Sequence, residues 1–336
     1  MVDKFLIKDF LNSFRPGCRG CFVGWIVPHA GAYDTVMAST RIRCYDIIEY
    51  LNRFGVRGGL YKPFLRYGTV VFQKCFSRRD LDLAGKLKAA GARVIFDINV
   101  NYVSANAAAT FLVSANQAKD AKEMLTIADK VIVGTQYLRQ EYSQYHRDIT
   151  VIADSIHDSF FLKNKIHKNS GDVKLLYCGY AVKAAELKLI NGVLNDLRDE
   201  FSAEIILLCE RDPKIDFVPY RYVRYDHRKL AQQLALGDIF IAPRDLRLEY
   251  NLGHAFTKVG YPMSVGIPVA ASPVPSYLGS PALFCSSPQE WYAGLKNLIN
   301  DPDERARLGA AGKEYALNNF SLSHVGREYL ELFKNR

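Results

Sequence analysis

Hydrophobic and polar positions follow two alternating patterns along the chain. Short runs rich in β-branched and aromatic residues predict strands at 21–27, 59–61, 69–73, 93–98, 130–133 and 149–153. Between them, apolar residues recur at helical spacing and predict helices at 41–54, 79–90, 116–128 and 137–145. Strands this apolar, separated by helices, indicate a parallel sheet that is covered on both faces.

The alternation stops at residues 157–172, HDSFFLKNKIHKNSGD, which are polar, basic and aperiodic, as is typical of a linker. It restarts with strands predicted at 173–178, 204–209, 220–225, 239–242, 267–271 and 282–285. Helices are predicted between these strands, at about 183–200, 227–236, 255–265 and 288–300. Two further helices, at about 303–318 and 322–333, close the chain.

We therefore predict an α/β fold of two tandem Rossmann-like, doubly wound domains that face each other across a cleft. The N-terminal domain would cover 1–155, the linker 156–172 and the C-terminal domain 173–319. An amphipathic helix within 320–336 would cross back onto the N-terminal domain. Ligands of such sheets bind beyond the carboxyl ends of the strands, so the cleft is the predicted active site.

Length and composition exclude several classes of protein. The 336 residues, 49% apolar and 24% charged, suit two soluble domains, and no apolar run approaches the ~20 residues of a membrane span. The N-terminal segment carries two aspartates and does not resemble a signal peptide, so we expect a cytoplasmic protein. Its cysteines would then be reduced thiols, and the C-x-x-C of Cys18 and Cys21 has no second such motif with which to bind a metal.

The net charge of +9 favours acidic partners such as nucleotide phosphates, anionic lipid or nucleic acid. Nucleic acid is the weakest of these, because the sequence has no aromatic-basic RNA motif and no zinc-finger spacing. We expect peripheral, salt-sensitive attachment to the anionic inner face of a membrane, with a soluble enzyme of ordinary basic surface as the open alternative. Neither half has G-x-G-x-x-G after its first strand or a Walker A loop, which argues against a nicotinamide enzyme and a P-loop kinase.

Lys258 stands in the first turn of a small, apolar predicted helix, just after the Gly253-His254 step. A lysine there opposes the helix dipole, so a nearby anion would stabilise it. The backbone N–H groups of 255–257 would bind the same anion, and a diphosphate fits both. The alternative is that Lys258 extends to solvent.

The run KVGYPMSVGIPVAASPVPSY (258–277) resembles the C-terminal signature of GT-B glycosyltransferases in the retaining group-4, glycogen-synthase-like superfamily. The positions that match are Lys258, Met263, Gly266, Pro268, Val269, Ala271 and Ser272. Five further segments resemble the family in the right order: STRIRCYDIIEYLN (39–52), VIFDINVNY (94–102), ADKVIVGTQYLRQEY (128–142), ITVIADSIHDSFF (149–161) and LLYCGYAVKAAELKLI (175–190). The resemblance implies a metal-independent enzyme that takes a sugar from a nucleotide-diphosphate donor, UDP- or GDP-linked, without a cofactor. The acceptor would be a glycan or a lipid-linked sugar.

The resemblance also implies roles for particular residues. Catalysis would rest on Lys258 and Lys183 at the leaving diphosphate, and on Asp97 near the sugar; Lys183 as a solvated helix lysine and Asp97 as a cap or turn residue are the alternatives. The residues implied in donor binding are Gly31, Ala32, Gly179, Glu249, His254, Ala255, Phe256, Thr257 and Tyr261. On the acceptor side the implied residues are Asn99, Asn101, Arg41 and Arg43, of which the two arginines could instead be solvated.

Two departures and one false resemblance qualify this assignment. The family often carries two glutamates eight residues apart, and those positions are Gly253 and Tyr261 here. Recognition of the donor ribose would then fall to Glu249 or to a backbone group. A degenerate domain that binds a nucleotide sugar or glycan without turnover, as a partner or scaffold subunit, is therefore the alternative function. Residues 80–82, Asp-Leu-Asp, resemble the metal triplet of the other glycosyltransferase fold, but we interpret them as the first turn of a solvated helix.

Overall fold

A computed structural model of the chain describes residues 22–103, 107–108, 111–162, 165–166 and 173–334. The predicted C-x-x-C of Cys18 and Cys21 and residues 163–164 and 167–172 of the predicted linker lie outside these residues. The chain divides into two compact units. Unit 1 comprises the residues up to Ala107, Leu112–Ala153 and the residues from Val325 onward, and unit 2 comprises Ala108–Phe111 and Asp154–His324. The domain boundaries drawn from the sequence stay predictions.

Unit 1 is built on a six-stranded sheet in which every strand pairing is parallel. Its strands are β1 (Phe22–Ile26), β2 (Arg57–Leu60), β3 (Thr69–Gln73), β4 (Arg93–Ile98), β7 (Lys130–Val133) and β8 (Ile149–Val151), in the spatial order β2-β1-β3-β4-β7-β8. Its helices are α1 (Ala38–Thr40), α2 (Asp46–Arg53), α3 (Arg78–Ala89), α4 (Ala115–Ile127) and α5 (Gln136–Ser143). The short strands β5 (Ala107–Ala108) and β6 (Phe111–Leu112) form a separate sheet.

Local sequence explains where the helices of unit 1 begin. Ser77 caps α3 and forms a reciprocal capping box with Asp80, so the first aspartate of the Asp-Leu-Asp run serves the helix, as predicted. Ser114 caps α4 in the same way. Between α1 and α2 lies a π-helical segment, Arg41–Tyr45, which turns four consecutive residues into the interior of the unit.

Unit 2 repeats the architecture with a second parallel six-stranded sheet. Its strands are β9 (Lys174–Cys178), β10 (Glu204–Cys209), β11 (Arg221–Arg224), β12 (Ile239–Ala242), β13 (Val269–Ala271) and β14 (Leu283–Phe284), in the spatial order β11-β10-β9-β12-β13-β14. Its α-helices are α6 (Asn191–Phe201), α7 (Leu230–Leu234), α8 (Glu249–Leu252), α9 (Thr257–Ser264), α10 (Pro288–Asn300) and α11 (Pro302–Phe320). The 3-10 helices are Asp158–Leu162, Ala181–Ile190, His227–Lys229 and Pro275–Tyr277. The predicted α/β class with two doubly wound units is confirmed.

Two elements differ from the sequence prediction. The helix expected at 183–200 is a 3-10 helix, Ala181–Ile190, followed by α6. The stretch interpreted as an aperiodic linker begins with the 3-10 helix Asp158–Leu162, because Phe160 and Phe161 are buried in the core of unit 2. The last helix, α12 (Leu322–Lys334), contributes its residues from Val325 onward to unit 1, where Phe333 lies edge-on to Trp25.

The chain enters and leaves unit 2 side by side. Ile156 N–H donates to the carbonyl of Phe320 at 2.7 Å, and Leu322 N–H donates to the carbonyl of Ile156 at 2.8 Å. Ile156 and Ser321 thereby form an isolated parallel bridge. Within the described part of the chain, we find no helix with both the length and the apolarity that a membrane span requires.

Candidate functional site

The strand order of unit 2 reverses between β9 and β12: the chain adds β10 and β11 on one side of β9, and then β12, β13 and β14 on the other side. The connections that follow two such strands lead to opposite sides of the sheet and leave a crevice at the carboxyl ends of the strands. Gly179 follows β9 directly, and Arg244 lies two residues beyond the end of β12. The crevice is therefore the place in unit 2 where ligand-binding side chains are expected.

Lys258, in the first turn of α9, lies over this crevice. Its Nζ donates a hydrogen bond to the carbonyl of Cys178, at the end of β9. The same ammonium lies 3.9 Å from the ring centre of Tyr177 and 5.5 Å from that of Phe240, and both rings attract a cation. Lys258 thus folds back over the strand ends and does not extend to solvent.

Lys183, on the 3-10 helix Ala181–Ile190, joins the same cluster. Its Nζ donates to the hydroxyl of Tyr250 at 2.7 Å and lies 3.3 Å from Nε2 of His254. Because an ammonium can only donate, Nε2 of His254 accepts from it and the ring proton lies on Nδ1. The carbonyl of His254 accepts a hydrogen bond from the hydroxyl of Ser276. The structure therefore brings together three predicted residues, Lys258, Lys183 and His254.

Arg244 is the third cation of the cluster and is 4% exposed. Its Nη1 forms an ion pair with Glu186, and its backbone N–H donates to the hydroxyl of Ser272 at 2.9 Å. Asn251 holds the other oxygen of Glu186, because its Nδ2 donates to Oε1 at 3.0 Å. The guanidinium is thus fixed in place before any ligand arrives.

The cluster has an excess of positive charge. The pKa of Lys258 is lowered from its ordinary value to about 7, by burial first and then by Arg244 and Lys183, while Cys178 and Glu186 act against this change. Burial also lowers the pKa of His254 well below its ordinary value, and the three neighbouring cations act in the same direction, so this imidazole is neutral. Three basic side chains share one carboxylate here, and an anion would relieve their mutual repulsion.

Three buried polar atoms in and beside the cluster also lack a hydrogen-bond partner among the described residues: Tyr177 Oη, Tyr277 Oη and Arg244 Nε. A Cβ atom at Gly179 would lie 2.8 Å from Tyr177 Oη and 3.2 Å from Lys258 Nζ, so glycine keeps open the space that both atoms border. Buried polar groups are almost always hydrogen-bonded in native proteins. The unpartnered hydroxyl of Tyr177 and the excess charge both fit a bound anion in this space.

The remaining predicted donor residues lie around α9 with different exposures. Phe256, which precedes the helix, stacks on Phe320 with 3.9 Å between the ring centres and is buried in the core. Only its backbone could therefore contact a ligand. Ala255 and Thr257 are half-buried. Among the described residues no side chain caps this helix. Tyr261 packs against Phe160 at 4.9 Å, and Glu249 is exposed at the start of α8, so neither belongs to the cluster.

The predicted residues of unit 1 fall into an exposed loop and a buried group. Gly31 and Ala32 are exposed in the loop after β1, where the hydroxyl of Tyr45 donates to the carbonyl of Gly31 at 2.8 Å and accepts from its N–H at 3.2 Å. Asn99 is half-buried, and Asn101 is buried with its Oδ1 accepting from the N–H of Val103 at 3.1 Å. The carbonyl oxygen of Asn101 thus serves the local turn, and its buried Nδ2 has no hydrogen-bond partner among the described residues, so its contact with sugar hydroxyls stays a prediction.

Asp97, Arg43 and Arg41 require a larger correction. Asp97 and Arg43 are 0% and 1% exposed, and Arg43 Nε and Nη2 each lie 2.8 Å from Oδ1 of Asp97. Arg43 also donates to the carbonyl of Ile152 at 2.9 Å, and Arg41 donates to the carbonyl of Val36 at 2.7 Å. The π-helical segment turns both arginines inward, so they do not present a surface to an acceptor. We assign the Arg43–Asp97 pair a structural role in place of the predicted catalytic one.

Sequence reasoning missed Tyr177, Glu186, Arg244 and Tyr250, which complete the cluster in unit 2. One signal was available: Pro243-Arg244-Asp245 follows directly on a buried strand, at the end of the sheet where ligands bind. Within the described ranges no three His, Cys, Asp or Glu side chains are grouped so that they could hold a metal ion.

Comparison with known proteins gives a match at the level of structure alone. No family model matches the chain, and no curated protein matches it. A glycosyltransferase from Rickettsia africae is similar with a TM-score of 0.68 and 11% identity, over 94% of this chain and 98% of that one. HepE of Anabaena, solved in complex with UDP and glucose, has a TM-score of 0.65 and 12% identity, over 94% and 100% of the two chains.

A sucrose-phosphate synthase from Thermosynechococcus elongatus has a TM-score of 0.61 and 13% identity, over 94% of this chain and 88% of that one. At such identities the likeness shows the fold. The chain has the two-domain α/β fold of GT-B glycosyltransferases.

Proposed function

We propose that the protein is a retaining, metal-independent glycosyltransferase that moves a sugar from a nucleotide-diphosphate donor to a glycan or lipid-linked acceptor. The observation that carries this proposal is the cationic cluster of unit 2, in which Lys258, Lys183 and Arg244 surround a space kept open by Gly179. The GT-B fold supports it, because solved proteins of this fold include glycosyltransferases.

A diphosphate suits the cluster in charge and in hydrogen bonding. Three cations and the carboxylate of Glu186 leave two positive charges in excess, which match the single negative charge on each phosphate of a nucleotide sugar. The hydroxyl of Tyr177 and the ammonium of Lys258 border the same space and would both donate to phosphate oxygens. UDP is the favoured nucleotide, because HepE binds UDP within the same fold, and GDP is the second choice.

The arrangement would act mainly on the departing diphosphate. When the bond between the sugar and the phosphate breaks, negative charge grows on the phosphate oxygen that leaves. Fixed cations aimed at that oxygen stabilise the transition state more than the ground state, because they need no reorganisation at the moment of reaction. Arg244 is held by Glu186 and Ser272, and Lys258 is held by the carbonyl of Cys178, so both are fixed in advance.

A degenerate domain that binds a nucleotide sugar without turnover is the second candidate. Gly253 and Tyr261 stand where related enzymes carry acids, and Tyr261 packs against Phe160 and away from the cluster. Such a protein would bind UDP-sugars through the same cations but would release no free sugar from them.

Incubation of the purified protein with UDP- and GDP-sugars separates the two candidates. We expect slow release of free sugar from at least one donor, and we expect Lys258→Ala to lower the turnover number by about 10²-fold, as the loss of one fixed charge-stabilising donor does in other enzymes. Lys188→Ala, a change at an exposed lysine of the same unit, is the matched control. Binding without any hydrolysis or transfer would favour the degenerate domain, and no nucleotide binding at all would contradict both.

Attachment to an anionic membrane stays part of the proposal, on the strength of the +9 net charge. Flotation with liposomes of phosphatidylcholine alone, and with added phosphatidylglycerol, measures it directly. We expect binding to the anionic vesicles only, and weaker binding as salt is raised. Equal binding to both kinds of vesicle, or none to either, would reject it.

A further inference from the structure

A pocket of about 260 Å³ lies beside the cationic cluster, at the carboxyl ends of β12, β13 and β14 in unit 2. The loops that follow these strands form its walls, and Leu189 and Trp291 contribute from the 3-10 helix Ala181–Ile190 and from α10. Its volume is just below the range of roughly 300–1,000 Å³ that holds drug-sized ligands, so it suits a molecule with one ring.

Two buried polar groups line this pocket, the guanidinium of Arg244 and the hydroxyl of Ser272. Arg244 lines it and is 4% exposed, and its Nε has no hydrogen-bond partner among the described residues. The hydroxyl of Ser272, which accepts from the backbone N–H of Arg244, lines the same wall and still has its own proton to donate. A ligand with acceptor oxygens would satisfy both groups.

The charges at the pocket cancel, unlike those at the neighbouring cluster. Arg244 is paired with Glu186. Arg247 is paired with Asp245 through two hydrogen bonds, of 2.8 Å from Nε and 2.7 Å from Nη2. A wall without net charge gives a phosphate or a carboxylate little advantage over a neutral ligand.

We propose that this pocket binds a neutral hexose unit, at a site separate from the nucleotide. A hexose presents hydroxyls, which both donate and accept, at the edge of a ring whose C–H faces are apolar. The pocket offers the matching set: N–H and O–H donors at Arg244 and Ser272, the acceptor carboxylate of Asp245, and apolar surface from Leu189, Trp291 and three prolines. The pocket shares Arg244 with the cationic cluster, but its walls do not include Lys258 or Lys183, so hexose binding can be measured without nucleotide.

Fluorine NMR of the full-length protein labelled with 5-fluorotryptophan tests the proposal. The chain has two tryptophans, Trp291 at the pocket and Trp25 in the core of unit 1. The probes are D-glucose, D-galactose, D-mannose and N-acetyl-D-glucosamine, each titrated without nucleotide. We expect at least one of them to shift the Trp291 resonance with saturation, while the Trp25 resonance stays fixed as the internal reference.

A matched pair of variants locates the effect. Leu189 and Val182 are 43% and 49% exposed on the same 3-10 helix, and only Leu189 lines the pocket. Leu189→Arg should fill the pocket and abolish the saturable shift, whereas Val182→Arg adds the same charge and should leave it unchanged. The absence of a saturable shift with all four sugars, or an equal loss in both variants, would overturn the proposal. Displacement of the bound hexose by uridine or UDP would overturn it as well, because it would show that the pocket holds the nucleotide.

Discussion

The pKa of Lys258 links the affinity for a nucleotide sugar to pH. In the free protein this pKa is lowered from 10.5 to about 7, by burial first and then by Arg244 and Lys183. A diphosphate at the cluster would favour the charged ammonium and raise the pKa again. Above pH 7 the free lysine is mostly neutral and must take up a proton on binding, so affinity falls as pH rises. Below pH 7 the lysine is already charged and this dependence disappears.

The size of the effect follows from the same values. If the pKa of Lys258 in the complex is about 10 or higher, affinity should fall roughly 50-fold between pH 7 and pH 9, and at pH 8 about 0.9 proton should be taken up per ligand. UDP-glucose is the ligand to use, because its diphosphate has no ionisation in this range. Calorimetric titration in buffers of different ionisation enthalpy gives both the affinity and the proton count.

Lys258→Arg isolates this lysine from the other groups that face it. Tyr177, Cys178, Lys183, Glu186, Arg244 and His254 surround its ammonium. Arginine keeps the charge but does not titrate, so the variant should bind with a shallow dependence on pH in this window. An affinity independent of pH in the unmodified protein, or the same slope in the variant, would refute the assignment of Lys258 to the diphosphate.

Four further predictions concern single residues. Gly179→Ala should weaken UDP-glucose binding at least tenfold in the same titration, because its Cβ would lie 2.8 Å from the hydroxyl of Tyr177. Gly192→Ala, whose Cβ would have no atom within 4 Å, should leave binding unchanged, and equal effects of the two variants would contradict the anion site at Gly179. Tyr177→Phe should weaken UDP-glucose binding while the free energy of unfolding stays constant or rises by up to ~1 kcal/mol, because the change removes an unpartnered buried hydroxyl. A large loss of stability would mean that this hydroxyl is hydrogen-bonded within the protein. Tyr261→Glu should lower the melting temperature, because the half-buried ring packs against the core of unit 2, and tighter binding of UDP-glucose without loss of stability would show that this position faces the ligand. Asp97→Asn should reduce the free energy of unfolding in urea by about 3–5 kcal/mol through an uncompensated buried guanidinium, and unchanged stability with lost activity would restore the catalytic role.

The fold was predictable because its signal is local and repeated. Short apolar runs rich in β-branched and aromatic residues, such as Val94–Phe96 and Ile205–Leu208, are typical of strands buried on both faces, and their alternation with helices favours parallel sheets. The 3-10 helix Ala181–Ile190 was not predictable in type, because its apolar spacing also fits an α-helix.

The candidate site was predictable only in part. Lys258 and Lys183 could be singled out through the family resemblance, and the structure brings both to one cluster. Arg244 and Glu186 meet although 58 residues separate them, and no local pattern encodes such a pairing. The opposite error arose at Asp97, where a carboxylate at a strand end suggested catalysis, because the sequence does not tell that Arg43, 54 residues earlier, covers it.

The bridge between Ile156 and Ser321 has a consequence for how the chain can be cut and rejoined. Two main-chain hydrogen bonds hold the first residues of unit 2 against its last, so the whole unit is a closed loop whose ends already meet. Closing a long loop costs conformational entropy that grows only slowly with its length, and here the native hydrogen bonds offset part of that cost. Residues 154–324 therefore have the topology of an inserted module. In a circular permutant of this segment, a short turn would join residues 154 and 324 and the chain would begin in another loop, and every strand would keep its place in the sheet.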